Sequence, residues 1–432
     1  MGRWSEQMVV SAAPDASSLK AARTLAQPGP WSDTGSNDVL VWGKCQGSGK
    51  TPYQVSVDVA APAYRCSCPS RKFPCKHALA LLLLWARGEA ADSAAVTADF
   101  AQEWAAQRTE RATVRERRQA EQPADPVAQA KRLADRLALM DAGIADFSLW
   151  LQDLVRTGLA AARSHPYSWW DGVAARLVDA QLPGLAEQVR DMGSEVHVRG
   201  DWADHLFLRA GRWWAMTQAW GGRGNLTAEE FGDLRAALGW PTAAADVQGT
   251  EALSGPWLVL GAHRSDDGRL QQQRTWLRSP NGMVVVVLDF AAQSEGLATP
   301  QLAGSMLDAT MARYPGTGPQ RAMFTSHVAA QGLAANLGEG CSIDNALKLE
   351  SAAVAGSPWR GRHPVLLGGV RVGLDDQGWL QDAAGSTLPM VDVPVMSLLA
   401  LAGGHPVDVF GELEDGRVRP LSIVVNGSVV AL

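Results

Sequence analysis

The chain has 432 residues, of which 46% are hydrophobic and 19% are charged, and its formal net charge at pH 7 is −6. This length predicts two or three domains with cores of their own, and the mild acidity excludes a chain that binds polyanions over its whole surface. The longest apolar run, Ala78 to Ala86, is far shorter than the roughly twenty residues that a bilayer-spanning helix needs. With no signal-peptide pattern at the amino terminus, we expect a soluble, cytoplasmic protein.

The first 30 residues or so are interpreted as a lead-in, with one short helix over Ser17 to Ala26. Val39 to Trp42 is predicted to be a strand. Tyr53 to Val59 is predicted to be a second strand, because valines alternate there with polar residues as they do in a half-buried strand.

Gly43 to Thr51, between these strands, includes Gly-Ser-Gly-Lys-Thr, which is similar to the end of a phosphate-binding loop. That motif needs a glycine where this chain has Lys44, and a helix where this chain has Pro52 and a strand. The segment is therefore predicted to be a hairpin connection with glycines at positive φ.

Cys66, Cys68, Cys75 and His77 are the residue types and the number that a closed tetrahedral zinc site requires. Residues Tyr64 to Cys68 are interpreted as the end of a strand, where side chains two apart point to one face. Cys75 and His77 lie just before or in the first turn of a helix that continues to Arg87 and stops at Gly88. Three thiolates and one imidazole leave Zn²⁺ no open position, so the site is predicted to be structural.

Other interpretations of these four residues are open but less favoured. An iron–sulfur cluster uses other cysteine spacings, copper rarely builds a fold, and a Cys66–Cys68 disulfide would be a strained ring in a reducing compartment. The residues could also be ordinary side chains without a metal. Cys45, close by, is interpreted as an ordinary loop thiol, with a spare ligand or a redox thiol as alternatives.

The pattern Cys-x-Cys, six residues, Cys-x-His resembles the SWIM zinc finger. Residues 42–49, Trp-Gly-Lys-Cys-Gln-Gly-Ser-Gly, look like those of stand-alone bacterial SWIM proteins, and the resemblance covers roughly residues 30 to 90. It implies a small ββα unit that binds zinc and contacts DNA or protein. It also implies protein partners in systems of AAA ATPases and von Willebrand A-domain proteins.

The predicted finger is locally basic. Between residues 41 and 80 there are six basic side chains and one acidic one, Asp58. Arg65, Arg71, Lys72 and Lys76 are the candidate nucleic-acid contacts, because basic side chains among aromatic ones are typical of phosphate-binding surfaces. The alternative, weighed equally, is that these cations balance the charge of the zinc thiolates.

Residues 91–126 are predicted to be a charged connecting helix or linker, since arginines and acids cancel and apolar residues nearly vanish. Residues 127–245 are predicted to be a helical domain. Its first helix has apolar residues at spacings of four and three from Leu133 to Leu154, which indicates a core face and leaves a coiled-coil seam as an alternative. Residues Trp202 to Trp220 are rich in aromatic side chains, and a core is favoured over a ligand groove. Thr227 with Glu230 is predicted to be a helix-capping box.

Residues 246–432 are predicted to be a β-rich α+β domain. Trp257–Leu260, Arg274–Leu277 and Met283–Asp289 are expected to form an antiparallel sheet, and Leu302–Tyr314 a helix. Three further strand segments are predicted after Val365, with turns that include Glu414-Asp415-Gly416 and Asn426-Gly427.

The chain is therefore predicted to be α+β: a zinc-bound ββα finger domain over residues 1–90, the connecting segment, the helical domain and the β-rich body. Catalytic motifs are not found, and a lone thiol, Cys341, is weak evidence for a reaction. We expect a non-enzymatic zinc-binding module that binds protein or nucleic acid. The alternatives are direct DNA or RNA binding by the basic finger and, with least support, an enzyme with an unrecognised site.

Overall fold

The computed structural model of the chain describes residues 4–13, 16–47, 49, 51–59, 63–70, 74–90, 97–107, 110, 126–240, 242–248, 252–266, 270–292, 297, 301–318, 320–325 and 329–432. Within these ranges the α+β class predicted from the sequence is confirmed: an amino-terminal sheet with helices comes first, a helical bundle follows, and two further sheets end the chain. The predicted domain limits at residues 90, 126 and 245 stay predictions.

The amino-terminal unit is one antiparallel sheet in the strand order β1-β2-β3-β4 with three helices. Its elements are helices α1 (Glu6–Ala12) and α2 (Ala16–Leu25), strands β1 (Trp31–Ser36), β2 (Leu40–Cys45), β3 (Tyr53–Asp58) and β4 (Ala63–Cys66), and helix α3 (Lys76–Ala86).

Helix α3 is the core of this unit, and every residue from His77 to Trp85 is buried. A helix that is apolar on all sides must be covered on all sides. Strands β2 to β4 cover one side of α3, while α1 and α2 cover another. Helices α1 and α2 are thus part of the core, and the unit is larger than the predicted ββα module by β1, α1 and α2.

The connection between β2 and β3 is a hairpin loop, as predicted. The expected positive φ is wrong for Gly47. Gly47 is instead needed for a close approach, because a Cβ there would lie 2.5 Å from the ring of Tyr53.

The outer face of this sheet is covered by the start of the predicted linker. Residues 99–107 are helical, and Ala101 packs fully buried against Leu40 and Trp42. Residues 99–107 thus form a helix, one of the two forms predicted for the connecting segment, and its few apolar side chains pack on the apolar outer face of β2. Residues 111–125 of the predicted linker lie outside the described residues.

The helical bundle has a long first helix and a tryptophan-rich core. Its helices are α4 (Pro126–Thr157), α5 (Leu159–Ala162), α6 (Tyr167–Asp179), α7 (Pro183–Val198), α8 (Trp202–Gly221) and α9 (Ala228–Leu238), followed by the short α10 (Ala244–Gln248). The apolar stripe on α4 is a core face, as favoured: Met140 and Phe147 are buried against Trp170, Trp213 and Trp220. The predicted capping box of α9 is confirmed, and so is its end at Gly239, whose backbone is in the left-handed region.

The first carboxy-terminal sheet consists of β5 (Leu253–Asp266), β6 (Leu270–Arg278), β7 (Val284–Ala292), β8 (Ser305–Arg313), β9 (Gln320–Phe324) and β10 (Ala329–Leu333). Its strand order is β10-β8-β5-β6-β7-β9, and β9 also pairs with β8. Strands β5 to β9 therefore form a closed barrel around the buried side chains of Trp257, Leu277, Val287 and Met311.

The helix predicted over Leu302–Tyr314 is wrong, since β8 occupies that segment. Leu307, Ala309 and Met311 alternate with residues that face outward, and all three pack inside the barrel. This alternation is present in the sequence, but its small and flexible side chains also suit a helix. Pairing with β5 and β9 decides the outcome.

The second sheet has the order β13-β12-β11-β14-β15-β16 and is antiparallel throughout. Its elements are β11 (His363–Leu374), β12 (Gly378–Gln381), β13 (Thr387–Pro389), β14 (Val407–Glu414), β15 (Arg417–Val425) and β16 (Ser428–Ala431), with helices α11 (Ile343–Gly356) and α12 (Val395–Ala402). The predicted turns at Asp415-Gly416 and Asn426-Gly427 are confirmed, with all four φ angles positive, as tight hairpins require.

A buried ion pair joins the barrel to this second sheet. Glu412 of β14, only 1% exposed, accepts hydrogen bonds of 2.8 and 2.9 Å from the guanidinium of Arg274. It also accepts one of 2.9 Å from the indole of Trp276. The bundle is tied to the same sheet by ion pairs of Arg209 with Glu414 and of Arg212 with Asp415.

We predict that Gly143→Ala destabilises the bundle. A Cβ at Gly143 would lie 2.3 Å from the Cβ of Ala180, so the overlap should cost about 1–3 kcal/mol and outweigh the gain of about 1 kcal/mol that alanine offers a helix. The free energy of unfolding in urea measures the effect. Gly172→Ala, at a helical glycine with open space around it, is the matched control and should stabilise. A Gly143→Ala chain that is more stable than its parent would contradict the close packing of α4 on α6.

We predict that the Glu412 carboxylate makes stability depend on acid pH. Burial alone would raise the pKa of Glu412, but the hydrogen bonds and charge of Arg274, with help from Arg362 and Trp276, hold that pKa at about 2. Because the pKa of Glu412 is lower in the folded state than in the unfolded chain, its carboxylate stabilises the folded state at pH values above the usual carboxyl pKa. This contribution of roughly 3 kcal/mol to the free energy of unfolding is lost as the pH falls towards 2.

Glu412→Gln should remove that dependence and lower the free energy of unfolding at pH 7 by about 3–5 kcal/mol, because Arg274 is left buried without its partner. Asp392→Asn is the control. Asp392 is also an arginine partner, but its side chain is 64% exposed, so its loss should cost less than about 1 kcal/mol. Equal losses in the two variants would contradict the account.

Candidate metal centre

Cys66 and Cys68 lie where β4 ends. The strand ends at Cys66, not at Cys68 as predicted, but the backbone beyond it is held by β3. Ser67 donates its amide to the carbonyl of Gln54 at 3.0 Å, and its hydroxyl accepts the amide of Gln54 at 3.0 Å. These two bonds continue the pairing by one residue and bring Cys68 beside Cys66.

Cys75 and His77 lie at the start of α3, as predicted. Cys75 is the residue that precedes the helix, with an extended backbone, and its carbonyl accepts the amide of Leu79 at 3.0 Å. His77 is in the first turn and is buried. Its ring lies 4.9 Å from the ring of Tyr53 on β3, so the sheet also holds the imidazole in place.

The four predicted ligands come together. Their donor atoms, three Sγ and one imidazole nitrogen, all lie within 4.8 Å of one another, and Cys66 Sγ is 3.7 Å from His77 Nδ1. A tetrahedral zinc ion with Zn–S bonds of about 2.3 Å and a Zn–N bond of about 2.0 Å places its donors about 3.5–3.8 Å apart. The donor set and its spacing therefore fit zinc.

The three thiols are close enough to hydrogen-bond to one another, which shifts their pKa values. Hydrogen bonds with Cys68 and Cys75, and then burial, raise the pKa of Cys66, whereas the hydrogen bonds that Cys68 receives from Cys66 and Cys75 lower its pKa. A bound cation replaces the thiol protons, because thiolates and not thiols are the zinc ligands.

Comparison with known families agrees with this site and with the bundle behind it. Residues 53–86 match the model of the SWIM zinc finger, and residues 135–238 match that of the SWIM-associated four-helix bundle domain. The chain therefore carries a SWIM zinc finger. No curated protein and no solved structure matches it.

Cys45 lies outside the donor group of the SWIM finger. It is fully buried at the end of β2 and not in a loop, and burial raises its pKa. These features indicate a packed thiol and not a fourth sulfur ligand. Within the described ranges, no other group of three or more His, Cys, Asp or Glu side chains has the spacing of a metal site.

The two candidate nucleic-acid contacts that lie among the described residues, Arg65 and Lys76, are on different sides of the amino-terminal sheet. Tyr64 and Cys66 face α3, so Arg65 between them points to the opposite side of the sheet. Lys76, by contrast, lies exposed at the start of α3. Lys44 is paired with Asp33 at 2.7 Å. Arg71 and Lys72 lie outside the described residues, so their part in the site stays a prediction.

A groove of about 700 Å³ lies next to the zinc ligands, between α2 and the finger. Sequence reasoning missed it, because α2 belonged to the supposed lead-in. The residues that line it are Ser17, Ser18, Ala21, Leu25, Gln46, Gly47, Tyr53, Cys68, Pro69, Ser70, Lys76 and His77.

No helix among the described residues is long and apolar enough to cross a membrane.

Cys341 is half-buried, and its backbone forms an isolated β-bridge with Leu367. Burial raises the pKa of its thiol, which disfavours the thiolate that a nucleophile needs.

We predict one zinc ion per chain. Cys68→Ser combined with Cys75→Ser should lose it, because two of four donors are removed. Elemental analysis of the purified protein measures the stoichiometry, and Cys45→Ser is the matched control, since it removes a nearby thiol outside the donor group. Full zinc content in the double variant, or loss of zinc in the control, would contradict the assignment.

Proposed function

We propose that this chain is a non-catalytic adaptor in which zinc holds the SWIM finger together and the adjacent groove binds a segment of a protein partner. The observation that carries the proposal is the position of a closed Cys₃His donor set in the wall of an open groove. The metal thereby fixes the shape of a surface and has no position left for a substrate.

The donor set supports a structural role for the ion. A catalytic zinc keeps one position for water or substrate, whereas three thiolates and an imidazole fill a tetrahedral ion. Cys68 and His77 both line the groove, so their coordination would order its floor.

The lining of the groove indicates the chemistry of the partner segment. Leu25, Tyr53 and Pro69 offer apolar contacts, and Lys76 is exposed among them. Helices α2 and α3 both begin at this groove, and the amino-terminal end of a helix attracts negative charge. We therefore expect an extended segment with an acidic side chain next to Lys76 and an apolar one on Tyr53.

The basic finger supports nucleic-acid binding less well. Arg65 and Lys76 are on opposite sides of the sheet, and a continuous phosphate-binding surface needs cations on one side. Direct DNA or RNA contact through Arg65, Arg71, Lys72 and Lys76 is kept as the second candidate. For the partner, the resemblance to stand-alone bacterial SWIM proteins favours a component of an AAA ATPase or von Willebrand A-domain system.

We predict that Lys76→Glu abolishes co-purification of the partner from the native host, because it reverses the charge at the groove. Arg65→Glu makes the same charge change on the far side of the sheet and should retain the partner. Mass spectrometry of the tagged, zinc-loaded chain compares the two variants with the parent, after zinc content has been checked in each.

Loss of the partner in Arg65→Glu but not in Lys76→Glu would reject the groove as the contact. Nucleic acid in the purified complex that nuclease removes together with the partner would reject direct contact between the groove and the partner.

A further inference from the structure

The barrel of strands β5 to β9 has a distinctive connectivity. If its strands are numbered one to five in chain order, neighbours around the ring follow the order one, two, three, five, four, and strand four pairs back with strand one. Only strands three and five, which are β7 and β9, are parallel. The first strand, β5, is 14 residues long, bulges between Val259 and Gly261, and pairs with β8 through its first half and with β6 through its second. A five-stranded Greek-key barrel of this kind is the OB-fold, which binds oligonucleotides and oligosaccharides.

Ligands of such barrels lie on the outer face of the second and third strands, next to the loops after the first and fourth strands. Here these strands are β6 and β7. Leu277 and Val285 point into the barrel, so Arg274, Trp276 and Val286 point outward, by alternation along each strand.

Half of this outer face is covered by the chain itself. Trp276 and Val286 pack against Phe410 and Leu421 of the second sheet. Arg274 is bound to Glu412. A ligand cannot reach these residues without separating the two sheets.

The other half is open and carries an aromatic side chain. Phe290, on β7 opposite Gln272, is 46% exposed. Arg321 on β9 places its guanidinium 5.7 Å from the ring centre of Phe290 and 4.3 Å from that of Tyr314. Tyr314 begins the loop after the fourth strand, so Phe290 and Tyr314 are where an OB-fold contacts its ligand, and Arg321 lies against both of their rings.

The charge of Arg321 is available to a ligand. Within the described part of the chain no carboxylate forms an ion pair with it, and its buried Nε has no hydrogen-bond partner. Asp289, on the neighbouring strand, interacts electrostatically with Arg321 but forms no ion pair with it among the described contacts, and burial raises the pKa of Asp289.

We infer that the open half of this face binds single-stranded nucleic acid, with a base stacked on Phe290 and a phosphate at Arg321. Stacking on an aromatic ring next to a cation is how OB-folds hold single strands with little sequence preference. Because half of the face is covered, the contact is short, near the lower end of the roughly 4–16 nucleotides that one such barrel spans. This site is distinct from the SWIM finger and does not rest on the adaptor role.

The test uses the full, zinc-loaded chain and a fluorescent thymidine oligomer of about 20 nucleotides, with fluorescence anisotropy as the readout. Phe290→Ala should weaken binding about 5- to 150-fold, which is the affinity that stacking of one base contributes, and Phe290→Trp should retain binding. Arg321→Ala should lower the slope of log affinity against log salt by about 0.7, the value for one phosphate contact in a single strand.

Phe207→Ala is the matched control, since Phe207 is 68% exposed on α8, away from the barrel, and binding should not change. No binding by the parent chain at low salt overturns the proposal. So does binding that neither Phe290→Ala nor Arg321→Ala alters. Binding that only Lys76→Ala weakens also overturns it, and assigns the contact to the finger.

Discussion

The closure of β4 onto the start of α3 is the constraint on which the amino-terminal unit depends. Cys66 and Cys68 leave one end of the sheet, Cys75 and His77 begin the helix, and their donor atoms meet within 4.8 Å. Residues His77 to Trp85 of α3 are all buried, so the position of this helix fixes where α1, α2 and the sheet can pack. We therefore expect a metal at its first turn to order both the core and the groove beside it, so that ion binding and folding are coupled.

Charged contacts set the arrangement of the rest of the chain. Glu412 accepts hydrogen bonds from Arg274 and Trp276 of the barrel. Glu414 and Asp415 of the same hairpin form ion pairs with two arginines of the bundle. Buried ion pairs are weak evidence for stability, because desolvation offsets much of their attraction. Their partners are nevertheless specific, and a slipped packing would leave charges buried and unpaired. We interpret this hairpin as the element that sets the positions of the bundle and the barrel relative to the second sheet.

The sequence predicts well what is decided locally. The zinc ligands follow from spacing within twelve residues, and the hairpins at Asp415 and Asn426 follow from residues that tolerate positive φ. Features decided by distant pairing are missed: β8 is a strand because β5 and β9 flank it, and the barrel closes through contacts no local pattern encodes. The position of Arg65 on the side of the sheet away from α3 was foreseeable, because Arg65 stands between two residues that face α3. The covering of α3 by α1 and α2 could be suspected from its apolar surface alone.

X-ray absorption at the zinc edge of the purified chain counts the ligands of the ion. A structural Cys₃His site should give a four-coordinate ion with three sulfurs at about 2.3 Å and one nitrogen at about 2.0 Å. An ion with a water or carboxylate oxygen in its coordination sphere, or with fewer than three sulfurs, would mean an open site and would contradict a purely structural metal.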